Sequence, residues 1–126
     1  MIIIGHSWIE SNRFFKVFSI KGIEKSLPGD IVLLEPLLDS HSYANHCQNN
    51  NIAFAVLVST LEDALFANAL GAKYIICEEE DALMIQPIAT EYLFDTRILV
   101  RIYSEKEISK IARGHIDGVI FAEAIC

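Results

Sequence analysis

Three glutamates stand where short apolar runs end: Glu35 after Ile31–Leu34, Glu78 after Lys73–Cys77, and Glu123 shortly after Gly118–Phe121. Two hydroxyls, Ser59 and Thr60, follow Ile52–Val58 in the same way, and Arg101 interrupts the apolar run Arg97–Tyr103. Carboxylate oxygens are hard ligands, so these acids gathered at one mouth would suit Mg²⁺ or a similar divalent cation. Crowded carboxylates also raise one another's pKa, which suits general acid–base work. The same residue types are favoured as helix N-caps and first-turn acids, so a structural role accounts for them without any chemistry. Glu35 lies between Leu34 and Pro36 at the end of a buried-type run and needs a partner for its charge. An ion pair between Glu35 and Arg101 would satisfy both residues; exposure of Arg101 on an edge strand is the other reading.

The remaining chemistry-bearing residues are dispersed. Cys77 precedes a helix start whose field would favour a thiolate. No general base lies near it in the sequence, and a small buried thiol is the simpler role. The three cysteines, Cys47, Cys77 and Cys126, have no short spacing, which speaks against a disulfide framework and a zinc site. His41 and His46 are five residues apart, whereas ligand pairs on a helix sit three or four apart. His6 follows the first apolar run and reads as a loop histidine. Trp8, Phe14 and Phe15 form an aromatic group that either covers one end of the core or makes a subunit contact.

The elements that must position these residues follow a repeated grammar. Strand-like runs at Ile31–Glu35, Ile52–Val58, Lys73–Cys77, Arg97–Tyr103 and Gly118–Phe121 alternate with amphipathic helical stretches. Ile2–Ile4 and Phe14–Ile20 are two further strand candidates, read as a hairpin, and Gly22–Ser26 has room for one or two helical turns. Asp39 or Ser40 is expected to cap the first long helix, and Ser59 or Thr60, with Asp63 three residues after Thr60, the second. Gly71 and Gly114 are the expected stops. Pro87 should kink its helix or start a new one. Ser104 and Glu107 make a capping box for a helix over Glu105–Arg113.

Alternating strand and helix implies parallel strands joined by right-handed crossovers. The expected fold is therefore α/β, with six to seven strands in an open three-layer sheet of the flavodoxin or Rossmann kind. The alternative is half of a (β/α)8 barrel completed by dimerisation. A chain of 126 residues with 52% hydrophobic composition supports one domain spanning 1–126. A mean hydropathy of +0.35 fits strands covered on both faces. No run reaches the roughly 18 apolar residues of a membrane span. Met1–Gly5 is apolar but lacks the basic lead and long core of a signal peptide. A net charge of −7 and scattered basic residues argue against nucleic acid as a partner. Reduced thiols point to the cytoplasm.

Two stretches carry family resemblances. Asp30-Ile31-Val32-Leu33-Leu34-Glu35, the hydroxyls Ser59 and Thr60, and Leu70-Gly71-Ala72-Lys73-Tyr74-Ile75-Ile76-Cys77-Glu78 resemble the receiver domain of response regulators. Glu35 then stands in the place of the phospho-accepting aspartate and Glu78 in the place of the family's lysine. The resemblance implies a pseudo-receiver that is not phosphorylated. Residues 97–125 are similar to the end of phosphate-binding (β/α)8 barrels. The places of that family's phosphate-holding glycines are taken here by Tyr103-Ser104 and Ala122-Glu123, and Glu123 would repel a phosphate.

The functional expectation is a non-catalytic domain acting through protein association or regulation, as a homo-oligomer. The alternative is a lyase or hydrolase for a small molecule, helped by a divalent cation at the acidic rim. A regulatory ligand-binding module without turnover is the third reading. The residues expected to line a ligand site are Glu35, Ser59, Thr60, Glu78, Arg101 and Glu123.

Overall fold

A computed structural model describes residues 1–126. Seven strands form one sheet: β1 (Ile2–Ile4), β2 (Phe14–Lys16), β3 (Ile31–Leu34), β4 (Phe54–Leu57), β5 (Tyr74–Cys77), β6 (Arg97–Ile102) and β7 (Gly118–Phe121). Their order is β1-β7-β6-β5-β4-β3-β2, and every neighbouring pair is parallel. The helices α1 (Ile20–Glu24), α2 (Leu37–Asn49), α3 (Leu61–Ala69), α4 (Glu79–Glu91) and α5 (Ile108–Arg113) fill the crossovers, α5 after a 3₁₀ turn at Glu105–Glu107.

From β2 to β7 each strand lies beside the next in sequence, without the reversal of order that puts helices on both faces of an open sheet. The helices therefore share one face. The core divides accordingly. The larger cluster, 25 buried residues, joins strand side chains such as Val32, Val56, Ile75 and Val100 to helix residues such as Ala44, Ala64, Ile85 and Ile111. The smaller has 8 residues, Ile4, Phe14, Ile31, Leu33, Ala55, Ile76, Leu99 and Ile120, with at least one from every strand and none from a helix. Successive strand residues face opposite ways, so Ile31 and Leu33 join one cluster while Val32 and Leu34 join the other. A face lined only by strand residues can be buried only if the sheet curls around it. The rings of Phe14 on β2 and Tyr74 on β5 lie 5.6 Å apart although two strands separate them in the sheet.

Of the two expected layouts, the curled barrel-type sheet is the one that forms, and the open three-layer arrangement is not. The expected β1–β2 hairpin is also absent, since β1 and β2 occupy opposite ends of the strand order. The C-terminal residues reach toward this seam. Ile125 bridges Phe14 in parallel, Cys126 N–H donates to the Phe14 carbonyl at 2.9 Å, and Lys16 N–H donates to the Cys126 carbonyl at 3.1 Å. Close packing of β1 is enforced by Gly118, where a Cβ would stand 2.4 Å from the carbonyl oxygen of Ile2.

Local signals act largely as their chemistry suggests. Thr60 Oγ1 accepts from Asp63 N–H and caps α3, and the box between Ser104 and Glu107 is formed. Gly71, at φ +83°, follows α3 in the left-handed conformation, whereas after α5 it is His115, not Gly114, that takes positive φ. Helix α2 starts earlier than expected, with Pro36 at its N-cap; the Ser40 hydroxyl instead donates to the Glu35 carbonyl at 2.6 Å. Pro87 does not end α4. It lies on the exposed side, where water can satisfy the carbonyl one turn back.

Candidate functional site

The strand C-terminal ends form one mouth of the curled sheet, and strand alternation decides which side chains enter it. Leu33 and Ile76 face the interior, so Glu35 and Glu78, two positions further on, continue toward the same side; Leu99 and Arg101 repeat the pattern on β6. β6 is a central strand, so the edge-strand reading of Arg101 does not hold. Register sets the partners. Cys77 pairs with Val100, which brings Arg101 beside Glu78, and their Nη2 and Oε1 atoms meet at 2.5 Å. Lys16 pairs with Leu33, which brings Lys16 Nζ to 3.3 Å from Glu35 Oε1. The alternative Glu35–Arg101 pair does not form either; two pairs, each between adjacent strands, stand in its place. Lys16 carried no sequence signal of a role, because its partner is fixed by a register that only the folded sheet reveals.

A cavity of about 180 Å³ opens in this mouth, lined among others by Pro36, Leu57, Ser59, Cys77, Glu78, Asp81 and Arg101. The hydrogen bond that Arg101 donates to Glu78 raises the Arg101 pKa against the opposing effect of burial, so the guanidinium stays charged. Its Nε is buried and has no acceptor. Burial first, and the charges of Asp81 and Glu78 after it, push the Cys77 thiol up to about 12. Its Sγ lies 3.8 Å from the Leu99 carbonyl, and so protonated a thiol is no nucleophile at neutral pH.

The other sequence candidates divide. Ser59 lines the cavity, whereas the Thr60 hydroxyl is committed to its cap. Glu123 is exposed on the 3₁₀ turn Ala122–Ala124 and joins none of the ion pairs. No three His, Cys, Asp or Glu side chains converge as a set able to hold a metal ion.

His6 lies beyond β1 in a defined state. Nδ1 accepts from Trp8 N–H at 3.1 Å and so carries no proton; Nε2 then donates to Glu105 at 2.9 Å. Its ring stands edge-on to Trp8, with centroids 5.0 Å apart. The expected aromatic group is dispersed: Trp8 is 90% exposed, Phe14 is buried inside the sheet, and Phe15 lies under the Arg13 guanidinium.

No family model matches the sequence, and no curated protein matches it. Among solved structures, the chain resembles two crystal structures of a NadC deletion mutant. One aligns over 92% of this chain and 50% of that chain, with a TM-score of 0.50 and 14% identity. The other aligns over 93% of this chain and 50% of that chain, with a TM-score of 0.51 and 13% identity. This chain spans about half the length of those solved chains. The likeness concerns the fold and agrees with the curled parallel sheet. No helix is long and apolar enough to cross a membrane.

Proposed function

We propose that this domain works by binding and association rather than by turning over a substrate, in the manner of a pseudo-receiver: a scaffold that keeps the site's position without its chemistry. The observation that carries this reading is that three of the acids at or beside the mouth are held in ion pairs, Asp81 being the one lining acid that joins none. Glu78 is held by Arg101, Glu35 by Lys16, and nearby Glu79 by Lys110 at 2.9 Å. A general acid or base must be free to exchange a proton with a reactant, and a nucleophilic thiol must ionise. The small mouth cavity suits a regulatory ligand. Exposed Trp8 supports association with a second copy, and exposed Phe66, Leu83 and Met84 support association with a protein partner. Its three unpaired cysteines are consistent with a reducing cytoplasm.

The competing reading is a small-molecule lyase or hydrolase using Mg²⁺ at the acidic rim. Its support is the unpartnered Arg101 Nε beside a cavity at the strand C-terminal ends. Thermal-shift measurements with Mg²⁺, Mn²⁺, phosphate and citrate separate the two. Binding without turnover predicts no metal-dependent shift. A shift with Mg²⁺ that disappears in Glu35→Ala overturns the proposal in favour of the enzyme. Light scattering after size exclusion tests the second copy, and a monomer at micromolar concentration removes it.

A further inference from the structure

The outer surface formed by α3 and α4 differs from the rest of the helical layer. The two helices pack side by side. On α3 the outward residues are Glu62, Leu65, Phe66 and Ala69; on α4 they include Glu80, Leu83, Met84, Pro87 and Glu91. Leu65, Phe66, Leu83 and Met84 are 41%, 63%, 50% and 47% exposed. By contrast α2 turns mainly Asp39, His41, Ser42, Asn45 and Gln48 outward, with Leu38 its one large exposed apolar side chain.

Charge on the two helices themselves has one sign, while Lys110 and Arg113 of α5 border the face beside Leu83. Leu61–Ala69 and Glu79–Glu91 together contain Glu62, Asp63, Glu79, Glu80, Asp81 and Glu91, and no Lys or Arg. Only Glu79 is neutralised from outside, by Lys110 of α5. A second copy docked face to face would set these acids against their own kind, in a chain already at −7. A partner that is apolar along one stripe and basic along its flanks would gain on both counts.

From this complementarity we infer that the α3–α4 face is a docking site for a basic amphipathic helix of another protein. The inference rests on the association reading above and names the kind of partner. Phe66 and Met84 supply the central apolar anchors, and Glu62, Glu80 and Glu91 face the partner's lysines or arginines. Aromatic and flexible thioether side chains at the centre of a patch are the usual carriers of such contacts.

The probe is a fluorescein-labelled synthetic helix of leucine and lysine at amphipathic spacing, with a leucine–glutamate helix of the same pattern as control. Anisotropy is measured at low and moderate salt, with amide chemical shifts of the labelled protein recorded alongside. The leucine–lysine helix should bind more weakly as salt rises, and its shifts should be confined to α3 and α4. The charge-neutral double variant Phe66→Ser/Met84→Ser should weaken binding about tenfold or more, the scale of a central anchor. Leu38→Ser, on α2, should leave it unchanged. All these positions are exposed, and thermal unfolding of each variant checks that the fold is retained. Equal binding of the acidic helix, equal loss in both variants, or shifts on another face overturns this docking site while leaving association in place. A dimer in light scattering that Phe66→Ser/Met84→Ser dissociates also overturns it, since a second copy then covers the face. No binding of either helix, together with a monomer, removes both the docking site and the support for association.

Discussion

Replacing Arg101 by Met should stabilise the protein, against the usual effect of breaking an ion pair. The Arg101 and Glu78 side chains are 36% and 47% exposed, so their attraction is screened by water and worth about 0.5 kcal/mol. Glu78, left behind, is open enough to be hydrated. Met keeps most of the apolar stem that Arg101 lays against the mouth. The substitution also removes a buried Nε that has no acceptor, a group whose lost hydration costs about 1–3 kcal/mol. The balance favours Arg101→Met by about 1 kcal/mol. Urea unfolding should show this as a midpoint raised by about 0.5 M at an unchanged slope of roughly 2 kcal/mol per molar. A double-mutant cycle with Glu78→Gln should give a coupling energy below about 1 kcal/mol. A loss of more than about 1 kcal/mol in Arg101→Met, with coupling well above that figure, would refute the reasoning: the pair would then be a structural clasp. Stabilisation would mean that the fold carries this arginine at a cost, the mark of a residue kept for binding.

Other consequences are open to direct measurement. Leu99→Ala empties a fully buried position inside the curled sheet and should cost about 2–5 kcal/mol in urea unfolding. Iodoacetamide at pH 8 should label exposed Cys126 and spare Cys47 and Cys77 in the native state, since burial raises those two thiols to about 11 and about 12; mass spectrometry of the digest reads the pattern. Removing Ile125 and Cys126 should speed hydrogen exchange at Lys16, whose N–H donates to the Cys126 carbonyl, while β5 and β6 stay protected. Asp30, held below its ordinary carboxyl range by the hydrogen bond from Arg13 and then by Leu27 N–H, contributes stability that is present above pH about 4 and lost as pH falls further. Asp30→Asn should therefore flatten the acid limb of the stability curve.

Strands β3 to β7 were legible because each is a short apolar run bounded by a cap or a turn, and five such runs with helices between them leave little but a parallel sheet. Their layout was not legible. Ile31-Val32-Leu33-Leu34 looks the same whether its two faces meet two layers of helices or one layer and a curled interior, since all four residues are buried either way. The paired charges at the mouth were hidden for the same reason. Glu35, Glu78 and Arg101 could be picked out as strand-end anomalies, but which cation meets which acid depends on register, and Lys16 became visible only through it. The N-terminal stretch was misread because Phe14–Ile20 is apolar enough for a long strand, whereas only Phe14–Lys16 pairs. Ser19 then accepts from Gly22 N–H and caps the short helix α1.

Edge control ties the fold to the proposed mode of action. A parallel sheet that curls without closing leaves two rows of backbone donors and acceptors, and such rows invite another chain. Here β2 has its outer row met by Ile125 and Cys126 of the same molecule, and β1 is pressed onto β7 at Gly118. Completion of the sheet by a second copy, the natural role for a partner of a half-barrel, is therefore unnecessary along β2. Along β2 the proposed association would then use side chains rather than backbone, and α3 and α4 expose Leu65, Phe66, Leu83 and Met84 for it. A partner there would leave the mouth open, so ligand and partner could bind together and influence each other through α4, whose first turn carries Asp81 in the mouth and whose outer side carries Met84.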